Sequence, residues 1–273
     1  MSFFSNLRQR RSPALAWTAR TPPKLRLYAI GDIHGEVSKL SILLDAIRDD
    51  AAGMPCGYSA RMICLGDYIA RGPNSRGVIQ KLLDFSAEGW VCRFLRGNHE
   101  AAFERYLNNG EGVETWLRNG GIATCMSYGI DPTAPRQAPL TQWLQGALQA
   151  ALPERHRAFF DGLADLQQYG DYLFVHAGIR PGTPIEAQRP EDLHWIRDPF
   201  LRSKAEHGAI VVHGHTPVEQ AEFRSNRIGI DTGACYGGVL TALVLDGDDR
   251  WMLQAGPRDA TRVVAPGDRV AAG

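Results

Sequence analysis

The feature that most restricts how this chain can fold is a junction repeated along it. A short run of apolar, often β-branched residues stops at or beside a glycine, and the next few residues are Asp, His or Asn. Leu25 to Ile30 runs into Gly31-Asp32-Ile33-His34-Gly35, Ala60 to Leu65 into Gly66-Asp67-Tyr68, and Trp90 to Leu95 into Arg96-Gly97-Asn98-His99-Glu100. Tyr172 to Val175 then meets His176-Ala177-Gly178, Ile210 to Val212 meets His213-Gly214-His215-Thr216-Pro217, and Arg227 to Ile230 meets Asp231-Thr232-Gly233. Each run predicts a strand that delivers polar side chains at its carboxyl end. Between the first strands, Val37, Leu40, Leu43, Leu44 and Ile47, then Val78, Ile79, Leu82, Leu83 and Phe85, are spaced to give a helix one apolar face. Strands alternating with helices predict an α/β fold on a largely parallel sheet covered on both sides, with ligands gathered beyond the strand ends.

From Ala101 to Leu166 the rhythm changes. Phe103 to Leu107, Val113 to Leu117, Trp143 to Leu152 and Arg157 to Leu163 read as helical, punctuated by Pro132, Pro135, Pro139 and Pro153, which predicts a helical insertion over about 101–166. After Arg227 the pattern is strand-like again: Val239 to Leu245, a turn at Asp246-Gly247-Asp248-Asp249, and Trp251 to Leu253 predict a hairpin closing a second sheet. Residues 1–24, with Arg8, Arg10, Arg11, Arg20 and then Pro22-Pro23, read as a solvated basic arm. The expected domain is 25–256, with a loose Ala/Gly/Pro-rich tail over 257–273.

At 273 residues the chain can bury one large core. Thirty basic residues balance thirty acidic ones, so no overall field favours nucleic acid or an acidic membrane surface. Five scattered cysteines, at 56, 64, 92, 125 and 235, do not read as a disulfide framework and fit a reducing compartment. No stretch has the length and apolarity of a signal segment or of a spanning helix, so a cytoplasmic protein is expected. Nothing in the residues sets the oligomeric state.

A lone Asp and His two apart in a loop, such as Asp32 and His34, is usually a turn or capping pair. Several such sites on separate strand ends are a different matter. Asp32, His34, Asp67, Asn98, His176 and His215 offer oxygen and imidazole ligands, a mixture suited to borderline divalent ions such as Mn, Fe or Zn and unlike a thiolate-type structural zinc site. Six ligands exceed what one open catalytic ion takes. Shared between two ions about 3.5–4 Å apart, with a carboxylate bridging, they would leave places for water and substrate. Such a pair lowers the pKa of a water held between the ions, giving a hydroxide near neutrality, and screens the charge that makes phosphoesters resist attack.

In order, Gly31-Asp32-Ile33-His34-Gly35, Gly66-Asp67-Tyr68-Ile69-Ala70-Arg71-Gly72, Gly97-Asn98-His99-Glu100, His176-Ala177-Gly178 and Gly214-His215-Thr216-Pro217 resemble the motif series of the phosphoprotein phosphatase family within the calcineurin-like metallophosphoesterases. The resemblance runs from about Leu25 to Leu245, and the Gly-His-Thr-Pro form is similar to the bacterial and phage branch, which neighbours the symmetrical dinucleoside tetraphosphate hydrolases. It implies a β-sandwich of mixed sheets flanked by helices, with a helical insertion, and two divalent ions, Mn foremost. It further implies Asp32, His34 and Asp67 on the first ion, and Asp67, Asn98, His176 and His215 on the second. His99 would be the general acid, and Arg71 would clamp phosphate through its planar guanidinium. Arg197, in Leu193-His194-Trp195-Ile196-Arg197, stands where that branch carries a second phosphate-binding arginine, and reads equally as a surface ion-pair residue. His213 falls outside the Gly-His-Thr pattern and reads as structural; Tyr236 reads as an exposed loop tyrosine.

One position departs from the family pattern Gly-Asp-x-x-Asp-Arg-Gly: Ala70 stands where the second aspartate belongs. That carboxylate would hydrogen-bond the histidine acid, fixing its tautomer and favouring its charged form. The expected activity is a metal-dependent phosphomonoesterase acting on phosphorylated protein, at serine or threonine with tyrosine a further option, impaired by Ala70. The alternatives are symmetrical dinucleoside tetraphosphate hydrolysis and a non-catalytic phosphate-binding module.

Overall fold

A computed structural model describes residues 19–134 and 139–265. Strands β1 (Leu25–Ile30), β2 (Ser59–Cys64) and β3 (Val91–Phe94) pair in parallel, linked by helices α1 (Val37–Ala52) and α2 (Ser75–Ala87). The periodic residues do what their spacing predicts: Leu40, Leu43, Leu44 and Ile47 of α1, and Val78, Ile79, Leu82 and Phe85 of α2, are buried. Asn74 caps α2 by accepting the Gly77 N–H at 2.8 Å. The insertion then packs as α3 (Asn98–Asn109), α4 (Val113–Trp116), α5 (Ile122–Ser127), α6 (Leu140–Ala151) and α7 (Glu154–Asp161). A second sheet is built from β4 (Leu166–Tyr169), β5 (Tyr172–Val175), β6 (Ile210–His213), β7 (Glu222–Phe223) and β8 (Arg227–Gly229), in the order β4-β5-β6-β8-β7. Short helices α8 (Pro190–Trp195) and α9 (Asp198–Leu201) lie between β5 and β6 in sequence.

The two sheets face one another. Leu27, Ala29, Ile63 and Leu65 from the first meet Tyr172, Phe174, Ile210 and Val212 from the second in one buried cluster. The alternate residues Tyr28, Ile30, Met62 and Cys64 face the helices over the first sheet, while Leu173, Val175 and Val211 pack with Leu193 and Phe200 over the second. Burial on both faces is why these strands read as continuous apolar runs. Beneath the first sheet Asp50 accepts from Arg26 at 2.9 Å, Tyr28 at 2.7 Å and Trp251 at 3.1 Å, so a buried carboxylate is fully paired.

The fold is thus the expected α/β sandwich of two mixed sheets with helices on both sides, its parallel part in the first sheet being β1, β2 and β3, and three details differ from expectation. The hairpin of β9 (Leu240–Asp246) and β10 (Asp249–Ala255) joins the first sheet, because β9 pairs antiparallel with β1 over Arg26 to Ile30. Residues 260–264 are not a loose tail: β11 (Ala260–Val264) pairs with β10, and Val263 and Ala265 pack on the inter-sheet core. At the other end, Ala19 and Thr21 are buried, the Thr21 N–H donates to Gly247 O at 3.0 Å and the Arg20 N–H to Asp171 at 2.9 Å, so the segment from 19 to 24 belongs to the domain. Residues 1–18 of the expected arm, Pro135 and 266–273 of the expected tail lie outside the described residues. The cysteines at 56, 64, 92, 125 and 235 are free thiols, and no helix among the described residues is long and apolar enough to cross a membrane.

Candidate metal centre

The loops following β1, β2 and β3 of one sheet and β5 and β6 of the other meet at one end of the sandwich. Asp32, His34, Asp67, Asn98, His99, His176 and His215 are all buried there, none more than 5% exposed. The loops that carry His34, Asp67 and His215 are strained there. Among the described residues, six non-glycine residues have positive φ, and five of them are His34 (45°), Asp67 (51°), Ala70 (70°), Arg71 (66°) and His215 (65°). Such conformations cost of order 1–3 kcal/mol each and persist where surrounding contacts fix them. The loops also touch backbone to backbone: a Cβ on Gly66, whose φ is 111°, would lie 2.6 Å from Gly97 N.

Glu100 supplies much of that fixation. Its Oε2 accepts the N–H groups of Asp67 at 2.8 Å and Gly97 at 3.0 Å, and its Oε1 accepts those of Tyr68 at 2.8 Å and Ile69 at 3.2 Å. Burial, reinforced by Asp67, pushes this carboxyl up to about 8, yet four donors on two oxygens leave no room for a proton, and we read it as a carboxylate. Asp67 in turn accepts the His99 N–H at 3.1 Å.

The donor atoms fit a cation on hydrogen-bond logic alone. His176 Nδ1 donates to Leu65 O at 3.0 Å, so its Nε2 carries the lone pair; that atom faces Asn98 Oδ1 at 3.0 Å and Asp67 Oδ1 at 3.5 Å. Burial holds His176 down at about 4 despite Asp67, so it is neutral near pH 7. Acceptors therefore face acceptors with no proton between them. His215 Nδ1 adds to the group at 2.8 Å from Asn98 Oδ1, and its Nε2 is buried with no partner among the described residues. Separations near 3 Å are those of neighbouring ligands around an ion bound at about 2.1 Å. The second pole is similar: His34 Nδ1 donates to Ile69 O at 2.9 Å, leaving Nε2 to face Asp67 Oδ2 at 3.3 Å. There Arg71 donates to His34 Nε2 at 2.8 Å, a cation standing among the acceptors.

Two triads can each hold a metal ion, His34 with Asp67 and His99, and Asp67 with His176 and His215, and Asp67 is common to both. Asp32 lies outside both triads, and its two oxygens each accept the His215 backbone N–H at 3.1 Å. Burial, then Asp231 and Asp67, push its carboxyl well above the usual range. For Asp67 burial acts upward but is outweighed by His176, His99 and His34, which hold it well below that range. Asp231, also buried, was legible only as a strand-end aspartate, and Glu100 only as the last residue of a motif.

Around this centre, burial lowers His99 to about 4 against the pull of Asp67, whose Oδ2 is 4.0 Å from its Nε2. That is the one carboxylate within 4.0 Å of a His99 ring nitrogen among the described residues. Ala70 is fully buried, its N–H shared by Thr124 Oγ1 at 2.9 Å and Ser75 Oγ at 3.2 Å. Tyr236, though exposed, borders the site: the Arg71 guanidinium lies 5.4 Å from its ring. Arg197 donates to Thr216 Oγ1 at 3.0 Å and to His215 O at 3.3 Å, alongside the ligand loop. His213 lies outside both triads, bonded to Gly214 O at 3.1 Å and to Arg227 at 3.2 Å.

The family model described as calcineurin-like phosphoesterase matches residues 25–238. Among curated proteins, the asymmetrical bis(5'-nucleosyl)-tetraphosphatase PrpE of Bacillus cereus strain AH820 is 26% identical over 225 residues, covering 78% of this chain and 88% of its own. Its namesake from Anoxybacillus flavithermus strain DSM 21510 / WK1 is 26% identical over 239 residues with the same coverage. Among solved structures, a provisionally assigned diadenosine tetraphosphatase superposes with a TM-score of 0.56 at 20% identity, covering 87% of this chain and 98% of that one. A cold-active protein-tyrosine phosphatase of a Shewanella species gives 0.53 at 16% identity, covering 90% and 84%. These superpositions share the fold.

Proposed function

Since this chain belongs to the calcineurin-like phosphoesterase family, whose members hydrolyse phosphoric esters at a dinuclear metal centre, we propose that it selects phosphoanhydrides, dinucleoside polyphosphates foremost, over alkyl phosphates. The observation that carries this reading is Ala70. Burial holds His99 at about 4 despite Asp67 at 4.0 Å, and with no carboxylate at position 70 to orient it, His99 is a poor proton donor near neutrality. An alkyl ester such as phosphoserine expels a strongly basic alkoxide and needs that proton. A phosphoanhydride expels a phosphate, which leaves without it. The names of the curated relatives point to the same substrate class.

In this reading two divalent cations, Mn foremost with Fe or Zn as alternatives, supply charge neutralisation and an activated water. Asp67, Asn98, His176 and His215 hold one, and Asp67 with His34 and Asp32 the other. Arg71 leaves His34 to grip the phosphate, and Arg197 steadies the His215 loop and meets a second phosphate. Free thiols at all five cysteines suit a reducing cytoplasm.

Protein phosphatase activity is the second reading, favoured by the ordered motif series with His99 and Arg71 in place. The two separate by comparing kcat/KM for diadenosine tetraphosphate, p-nitrophenyl phosphate and a phosphoserine peptide with Mn, before and after Ala70→Asp. The expected wild-type order is anhydride, aryl ester, then phosphoserine. Ala70→Asp is expected to raise the phosphoserine rate by about 10²- to 10⁴-fold and the anhydride rate less than about tenfold. A wild-type preference for the phosphopeptide, or equal gains, would defeat the reading. No turnover on any substrate with phosphopeptide binding retained would indicate a binding module.

A further inference from the structure

A cleft of about 350 Å³ opens directly beside the metal centre, with Asn98 and His99 at its inner end. Helices α3 and α4 line it through Ala101, Ala102 and Trp116, and Trp195 at the end of α8 lines it as well. Trp195 is 50% exposed, although its chain neighbours His194 and Ile196 are buried, and its ring lies edge-on to His215 with centroids 6.2 Å apart. A large indole held open to solvent beside a catalytic centre is a stacking surface. Trp116, buried in the wall, has an indole N–H with no acceptor among the described residues. At the rim are Glu111, Thr115 and Asn119, with Arg105 offsetting the charge of Glu111.

Resting on the phosphoanhydride reading above, we propose that this cleft binds the nucleoside on the leaving side of the substrate, its base stacked on Trp195 and its polar edge met by Glu111, Thr115 and Asn119. Position argues for the leaving side, because His99 lines both the metal centre and the cleft, and the oxygen it faces carries whatever the cleft holds. Charge argues for a neutral group, because one arginine and one glutamate cancel where a phosphate site would be cationic. Size argues for a single compact group: the volume is near the lower end of small-molecule sites, about 300–1,000 Å³. Stacking on an indole tolerates any base, so selectivity among bases falls to the polar rim.

The test is calorimetric titration of the Mn-loaded protein with α,β-methylene-ADP and with methylenediphosphonate, which share a non-hydrolysable bridge and differ in the nucleoside. The nucleotide is expected to bind at least about tenfold more tightly. Trp195→Ala should bring the two within about threefold, chiefly by weakening the nucleotide, and Trp195→Phe should keep most of the gap. Equal binding of both by the wild type, or a gap that survives Trp195→Ala, overturns the proposal. So does Trp195-dependent binding of a phosphotyrosine peptide without nucleotide binding, which would make the cleft a peptide side-chain pocket. Loss of all binding in Trp195→Ala is resolved by Trp195→Phe, whose gap must persist for the proposal to stand. Diadenosine tetraphosphate turnover is measured in parallel: turnover without a nucleoside-dependent gap sinks the cleft alone, and a gap without turnover sinks the phosphoanhydride reading alone.

Discussion

One oxygen of Glu100 accepts the amide N–H of Asp67 at 2.8 Å, and the same oxygen accepts that of Gly97 at 3.0 Å. A buried carboxylate thereby joins the loop carrying the shared aspartate to the loop carrying Asn98 and His99. Glu100→Gln would point an NH₂ group at backbone donors. The expected loss is about 3 kcal/mol of unfolding free energy by urea titration, together with weaker Mn binding. A loss under about 1 kcal/mol would show that the loops hold their shape without it.

Ala70 sits at a φ of 70°, a left-handed backbone that costs an alanine energy. Ala70→Gly should therefore raise stability by about 0.5–1 kcal/mol, where glycine at an ordinary buried position would lower it. Thermal melts check this. A drop in the midpoint would mean that the alanine methyl group contributes more through packing than its backbone costs.

The proposed ligand sets predict stoichiometry. Asn98→Ala and His176→Ala should each reduce bound divalent metal from two to about one per chain, measured by elemental analysis after gel filtration, with the circular dichroism spectrum retained. Two ions still bound in both variants would contradict the assignment of Asn98 and His176.

Acid sensitivity follows from a histidine outside both candidate metal triads. Burial, then Arg76 and Arg155, lower the pKa of His156 below its ordinary 6.5, and its ring is held by Tyr128 at 2.7 Å and Gln80 at 3.3 Å. The folded chain then keeps this ring neutral in a pH range where the unfolded chain protonates it. Its contribution to stability is complete above about pH 6.5 and falls as the solution is acidified below that value. In urea titrations of metal-free protein from pH 8 to pH 5, His156→Gln should flatten the decline by up to one proton. An unchanged slope would remove His156 from the account.

The ends of β1, β2, β3, β5 and β6 were legible because each apolar run stops at a chemically distinctive tripeptide, and local sequence carries both signals. Strands at sheet edges were harder. β4 contains the pair Gln167-Gln168, and β11 exposes Thr261 and Arg262, so neither shows an apolar run; their pairing with β5 and β10 is a tertiary fact. For the same reason the β9–β10 hairpin was visible while the sheet it joins was not. In the site, ligand-type residues declare themselves by type, but Glu100 acts on four backbone N–H groups that carry no residue signature. Whether Tyr236 approaches Arg71 is settled by the 3-10 turn Ala234–Tyr236, which no pattern in the sequence announces.

The bond from His176 Nδ1 to Leu65 O crosses from one sheet to the other, and so does the 3.5 Å approach of His176 to Asp67. A cation held by those side chains would rivet the two halves of the sandwich together at their rim. Chelation would then do more than silence chemistry: it would unfasten one edge of the core, so the melting midpoint should climb with the logarithm of free metal concentration. The protein's durability and its reactivity would thus answer to the same ions.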